Sequence, residues 1–299
     1  MKLGYACINM ELRESKPSVH TNRRMIRKTF LTKGLTYASE LALQNSIDLL
    51  TILKWNVAHN IGLFRMSSGI FPWSSEYKLE RLPDFSKIEY HLKKAGDYAK
   101  QHNLRITSHP DHFVKLASPN EKTLMASIVE LSQHAQVFDM MELSQTVYNK
   151  INIHIGGVYG DKKATAERFC KNFELLPYNV RSRLTVENDD KQVGYSTLDL
   201  YKLVYSKINI PIVFDYHHHQ FNTGGLSTSQ AFSLAYNTWP IDIVPVFHYS
   251  ESNENSNNPR AHSDYIVNHI DTFGMNIDIM VEAKMKERAV LEYTQAVDF

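Results

Sequence analysis

The sequence predicts a single (β/α)8 barrel spanning residues 1–299. Three observations carry that prediction. Eight short β-prone runs recur at intervals of roughly 30–60 residues, room for a strand, a helix and two loops. Most of these runs are continuously apolar, as strands covered on both faces are. Stretches with helical spacing of apolar residues lie between them. An open doubly wound sheet is the alternative way to arrange such an alternation.

The runs, in order, are 2–8 (KLGYACI), 62–67 (GLFRMS), 104–109 (LRITSH), 151–155 (INIHI), 183–187 (RLTVE), 211–215 (PIVFD), 242–248 (DIVPVFH) and 277–283. After the first strand comes a basic stretch, 13–33, with Arg13, Lys16, Arg23, Arg24, Arg27, Lys28 and Lys33 against one acid, Glu14. The spacing of Leu41, Ile47, Leu50, Leu53 and Val57 predicts a helix over 35–60, and 86–103 predicts a second. A third over 118–138 opens with Ser-Pro-Asn-Glu, a capping pattern with proline in the first turn. Ser196-Thr-Leu-Asp and Ser227-Thr-Ser-Gln also have the form of helix starts.

Composition narrows the function classes. With 43% hydrophobic and 11% aromatic residues the chain is globular. Its 33 Lys and Arg against 32 Asp and Glu give a net charge of +1, which excludes a generic polycation. Any nucleic-acid contact must therefore come from a local patch such as 13–33. Cys7 and Cys170 are too few for a disulfide framework. No apolar stretch approaches the ~20 residues of a membrane span, and the N-terminus lacks the apolar core of a signal peptide. An intracellular protein, cytoplasmic or nuclear, is expected.

The 14 histidines are the unusual feature, and their placement is informative. Strand three runs into His109, four into His154, five into Glu187, six into Asp215, seven into His248 and eight into Glu282. In a barrel these positions converge on the C-terminal rim, where active sites of this fold lie. One such residue reads as a cap or loop contact; six in consecutive strands read as a metal site. Imidazole and carboxylate without thiolate suit Zn²⁺, Mn²⁺ or Fe²⁺. The donor count exceeds what one ion takes, so a carboxylate such as Glu187 is expected to bridge two. Two ions about 3.5–4 Å apart suit in-line displacement at phosphorus; sugar isomerisation is the competing chemistry. Of His217, His218 and His219, one or two are expected to coordinate, since consecutive side chains diverge, and His262 could complete a third site. His20, His59, His91, His102, His134 and His269 read as structural or surface residues. The loop His109-Pro-Asp-His-Phe offers Phe113 as an aromatic wedge.

These motifs together resemble the UV damage endonuclease family. The matching segments are LGYACIN (3–9), Ser67-Ser68 followed by Phe71-Pro72, SHPDHF (108–113), HIGGVYG (154–160), VEND (186–189), FDYHHH (214–219), RAH (260–262) and VEAKMKE (281–287). The resemblance implies a metal-dependent DNA repair endonuclease. Such enzymes nick duplex DNA immediately 5′ to cyclobutane dimers and 6–4 photoproducts, with abasic sites as a further substrate class. It also implies a cluster of three manganese ions, Zn²⁺ or Mg²⁺ being substitutes. One ion would be held by His109, His154 and Glu187, a second by Glu187, Asp215, His248 and Glu282, and a third by His218 and His262. Catalysis would rest on His109, Glu187, Asp215, His248 and Glu282. Tyr5 and Asn9 would face the damaged strand, His112 and Phe113 would probe the lesion, and Arg23 and Arg24 belong to the basic stretch expected over the barrel mouth. The family places Gln where this chain has His112, and a Lys facing the metals where it has Val246. A monomer acting on duplex DNA is expected, with no membrane partner. Two rival functions are a sugar isomerase or epimerase on the same barrel and a damage-binding protein that does not cleave.

Overall fold

Each of the eight β-prone runs forms a parallel strand in the computed structural model, which describes residues 1–297. In chain order these are β1 (Leu3–Ala6), β2 (Leu63–Met66), β3 (Arg105–Ser108), β4 (Ile151–Ile153), β5 (Leu184–Glu187), β6 (Ile212–Val213), β7 (Val246–Tyr249) and β8 (Asp278–Val281). They hydrogen-bond in the order β6-β5-β4-β3-β2-β1-β8-β7. The two ends of that ladder meet through a bridge between Asp215 and His248, where the His248 N–H donates to Phe214 O at 3.0 Å. The sheet is therefore the expected (β/α)8 barrel and not an open one.

Helices wrap the outside. Asn9 caps α1 (Met10–Glu14), its side-chain oxygen accepting from the Leu12 N–H at 2.9 Å. The helix expected from residue 35 is the second part of α2 (Arg27–Ala58), which breaks at Gly34 (φ 64°, ψ −156°). That backbone lies in the region glycine enters without penalty. Next come α3 (Phe85–Gln101) and α4 (Glu121–Met140), the latter capped by Asn120. The sequence patterns did not mark α5 (Lys162–Phe173). A short α6 (Tyr178–Arg181) precedes β5. Helix α7 (Thr197–Leu200) runs through a π-helical turn, Tyr201–Tyr205, into α8 (Ser206–Ile208). After β6 come α9 (Tyr216–Phe221) and α10 (Thr228–Tyr236), and α11 (Lys286–Ala296) closes the ring. Both serine starts are capping boxes, Ser196 with Asp199 and Ser227 with Gln230.

Alternation along each strand divides its side chains between two environments. Outward residues such as Phe64, Ile106, Ile151, Ile153, Val186, Phe247 and Ile279 are buried against the helices. The interior differs from the apolar filling expected of the runs. On one side it holds Ala6, Leu63, Val246 and Met280. On the other lie buried polar residues, among them Arg105, Thr107, Lys150, Asn152, Thr185 and Asp278. Across the barrel Arg105 Nη1 meets Asp278 Oδ2 at 3.0 Å, and its remaining donors reach the carbonyls of Val147, Tyr148 and Val244. A charge this deep is tolerable only with such a set of partners.

Candidate metal centre

The strand ends bring together all six residues expected there. Glu187, the last residue of β5, is 1% exposed and sits at the middle. Its Oε2 lies 3.5 Å from His109 Nε2 and 3.1 Å from His248 Nδ1. Its Oε1 lies 3.8 Å from His154 Nε2 and 3.3 Å from His218 Nδ1. Glu282 follows β8 and places Oε1 3.2 Å from His248 Nδ1. Two sets of donor atoms lie within 4.8 Å of one another and could each hold a cation: His109, His154 and Glu187, then Glu187, Asp215 and His248.

The rings are oriented as metal ligands usually are, with one nitrogen anchored and the other free. His109, His218 and His262 donate their Nδ1 protons to the carbonyls of Pro110 (2.9 Å), Asn188 (2.8 Å) and Glu282 (2.8 Å). His154 sets its Nδ1 2.9 Å from Asp189 Oδ1. Those four therefore offer Nε2. His248 is the reverse: its Nε2 lies 2.9 Å from Lys150 Nζ, and its Nδ1 faces the carboxylates. Asp215 Oδ2 is buried with no hydrogen-bond partner. An orphaned carboxylate oxygen among imidazoles lacking only an acid partner fits a divalent cation.

The electrostatics agree. Burial raises the Glu187 carboxyl, but the charges of His248 and His154 and hydrogen bonds from His109 and His248 outweigh it and hold it well below its ordinary range. Burial likewise opposes ionisation of Glu282, and Arg65 and His248 reverse the effect. Asp215 is pushed up to about 6 by burial, with Glu187 and Glu282 adding to it against His218. Burial lowers the His154 imidazolium, but Glu187 and Asp189 carry it up to about 10. His248 is pushed down to about 4, by burial and then by Lys150. Groups displaced in opposite directions at one rim mark a functional site.

A family model described as UV-endonuclease UvdE matches residues 1–298. The chain belongs to the UV damage endonuclease family. The UV-damage endonuclease of Schizosaccharomyces pombe (strain 972 / ATCC 24843) is 36% identical over 306 residues, 97% of this chain and 50% of that one, so this chain spans half of that relative. The UV DNA damage endonuclease of Bacillus thuringiensis subsp. konkukian (strain 97-27) is 33% identical over 312 residues, 99% of this chain and 94% of its own. The crystal structure of SacUVDE superposes with a TM-score of 0.86 at 31% identity, covering 100% of this chain and 98% of the other. As a member of the UV damage endonuclease family the protein is a nuclease, and the sugar-isomerase alternative falls.

Other residues that the resemblance assigned are placed variously. Phe113 is 66% exposed at the tip of the loop after β3, its ring centroid 4.1 Å from that of His112. Tyr5 and Asn9, expected to face a damaged strand, are instead fully buried. Alternation on β1 turns Tyr5 toward α2, where its hydroxyl donates to Asn56 Oδ1 at 2.7 Å and accepts from Asn9 Nδ2 at 2.9 Å. Arg23 folds back onto Asp48 of α2 at 2.7 Å and onto the carbonyls of Ser18 and His20. Arg24 is exposed and lines a cleft of about 730 Å³ with Phe71, Trp73, Asp111 and His134, beside the cluster. Of the three consecutive histidines, His218 joins the Glu187 cluster. The ring against His262 is His217, at 5.2 Å, and His219 packs on Phe214 at 5.2 Å.

Four residues at the centre were not foreseen. Arg65 at β2 ion-pairs with Glu282, and Asn152 Nδ2 donates to Glu187 Oε2. Asp189 orients His154, and Lys150 reaches His248. A period of two, read backwards from His154, marks Asn152 and Lys150 as residues on the same interior face. Val246, in the position of the family's lysine, packs in the apolar part of the interior.

Proposed function

We propose that this chain, as one barrel domain over 1–299, is a metal-dependent endonuclease that nicks duplex DNA immediately 5′ to UV photoproducts. The products are a 3′-hydroxyl and a 5′-phosphate. Cyclobutane dimers and 6–4 photoproducts are the substrates, with abasic sites as a further class. The observation that carries the proposal is the position of Glu187, common to both donor sets at the mouth of a UV damage endonuclease barrel. His109, His154 and Glu187 are assigned to one ion, Glu187, Asp215, His248 and Glu282 to a second, and His218 with His262 to a third. Divalent ions there, manganese with Zn²⁺ or Mg²⁺ as substitutes, would polarise the scissile phosphate and acidify the attacking water.

The protein's own groups do the rest. Glu187, Asp215 and Glu282 hold negative charge at the rim, and Arg65 keeps Glu282 ionised and aimed inward. The exposed His112–Phe113 pair is suited to enter a base stack. A photodimer stacks and pairs poorly, so opening the duplex there costs a few kcal/mol less than in intact DNA. That difference supplies selectivity without base-edge contacts. Arg24 and its exposed neighbours Arg27 and Lys28 contact the phosphate backbone. The working unit is a monomer in the cytoplasm or nucleus. Among the described residues no helix is long and apolar enough to cross a membrane.

A nicking assay on irradiated supercoiled plasmid tests the proposal. Relaxed circles should form with Mn²⁺ and not with EDTA, and unirradiated plasmid should stay supercoiled. Tight binding to irradiated DNA with no incision at any Mn²⁺ concentration would instead make the protein a damage-binding one.

A further inference from the structure

Lys150 lies immediately before β4 with its side chain inside the barrel, completely buried. Its Nζ has one hydrogen-bond partner among the described residues, His248 Nε2 at 2.9 Å. This is an expensive arrangement for stability alone, because a buried amine surrenders its hydration for a single neutral partner. A methionine would fill similar space without that cost. The contact must therefore secure something else, and the orientation of His248 is what it touches.

The other four histidines at the rim anchor Nδ1 on a carbonyl or carboxylate and leave Nε2 free. His248 has the opposite sense, and where Arg260 O holds the Nε2 of neighbouring His217, no backbone carbonyl holds that of His248. We infer that Lys150 is the positioning residue for His248, holding Nε2 so that Nδ1 is the atom offered to the cation beside Glu187 and Asp215. Without this hydrogen bond a half-turn of the ring about its Cβ–Cγ axis exchanges Nδ1 for a carbon, and the second donor set loses one of its three atoms. Lys150 thus does for His248 what Pro110 O does for His109. The inference rests on reading the mouth as a cation site.

The test uses Mn²⁺ alone, titrated into metal-free full-length protein and followed by the electron paramagnetic resonance signal of the free ion. Wild type is compared with Lys150→Met and Lys150→Gln, and each metal-free protein is also melted. Whichever variant melts at or above the wild-type temperature decides. Its Mn²⁺ affinity should fall about 10–100-fold, the usual effect of removing a partner that orients a ligand. The ¹⁵N resonances of the His248 ring should also move in the metal-free variant. Unchanged affinity and unchanged ring resonances would overturn the inference. Should both variants melt well below wild type, Lys150 holds the fold and not the ring, and the inference falls. Wild-type protein that takes up no Mn²⁺ would overturn the cation reading itself, and this inference with it.

Discussion

Replacing Phe113 with alanine separates lesion probing from everything else in the molecule. The side chain is 66% exposed, so truncation removes only about a third of the burial a core phenylalanine would have. At roughly 1.5–3 kcal/mol for full burial, the folding cost is under about 1 kcal/mol. No metal-competent atom is touched, so manganese content should stay at the wild-type value. If the ring stacks against bases when the duplex opens, its loss removes about 1–3 kcal/mol of interaction. That is about 5- to 150-fold in kcat/KM on duplex carrying a single cyclobutane dimer. The assay is incision of an end-labelled duplex with one dimer, with manganese content and thermal melting measured on the same preparation. A change of less than twofold in kcat/KM, with the protein folded and loaded, would refute the wedge and leave the His112–Phe113 loop a structural feature.

Glu187→Gln should reduce manganese occupancy and cut incision of irradiated plasmid more than about 100-fold, since removing one partner of a buried charge cluster costs about 3–5 kcal/mol; near-normal nicking would contradict its shared position. Arg24→Ala should lower the salt dependence of DNA affinity by about one unit of slope with melting unchanged, whereas Arg23→Ala should cost about 1–3 kcal/mol of stability by leaving Asp48 without its guanidinium; titrations at several salt concentrations with parallel melts distinguish them. Burial pushes His134 down from 6.5 to about 4, so the unfolded chain takes up a proton before the folded one does. The stability this gives is complete above pH 6.5 and declines by up to about 3 kcal/mol as pH falls toward 4. His134→Gln should flatten that acid limb in denaturant titrations, and identical limbs would remove His134 as its cause.

The barrel and its six rim residues were legible because strand ends are punctuated in sequence: an apolar run stops at a His, Asp or Glu. Local capping chemistry was equally readable at Ser196 and Ser227. What escaped depends on contacts distant in the chain. Arg23 and Arg24 are neighbours in one basic run, and only Asp48, brought alongside by α2, turns the first into a structural ion pair. Tyr5 and Asn9 look alike as polar groups near a strand end, yet the alternation on β1 sends Tyr5 into the helix layer. Helix α11 starts at Lys286, and Met285 before it offers no side-chain cap, so nothing local announces it. Lys150 and Asn152 were hidden because INI reads as a short apolar run, and only their alternation with His154 gives the interior face away.

The clasp between β6 and β7 has a mechanical meaning. β6 is two residues long, and the hoop is fastened there by Asp215 and His248, which also stand in one of the two donor sets. Buckle and candidate cation site are one object. Whatever draws Asp215 toward His248 also cinches the cylinder; a cation held by that donor set would tighten the same girdle, and its removal would loosen the cylinder first along this single line.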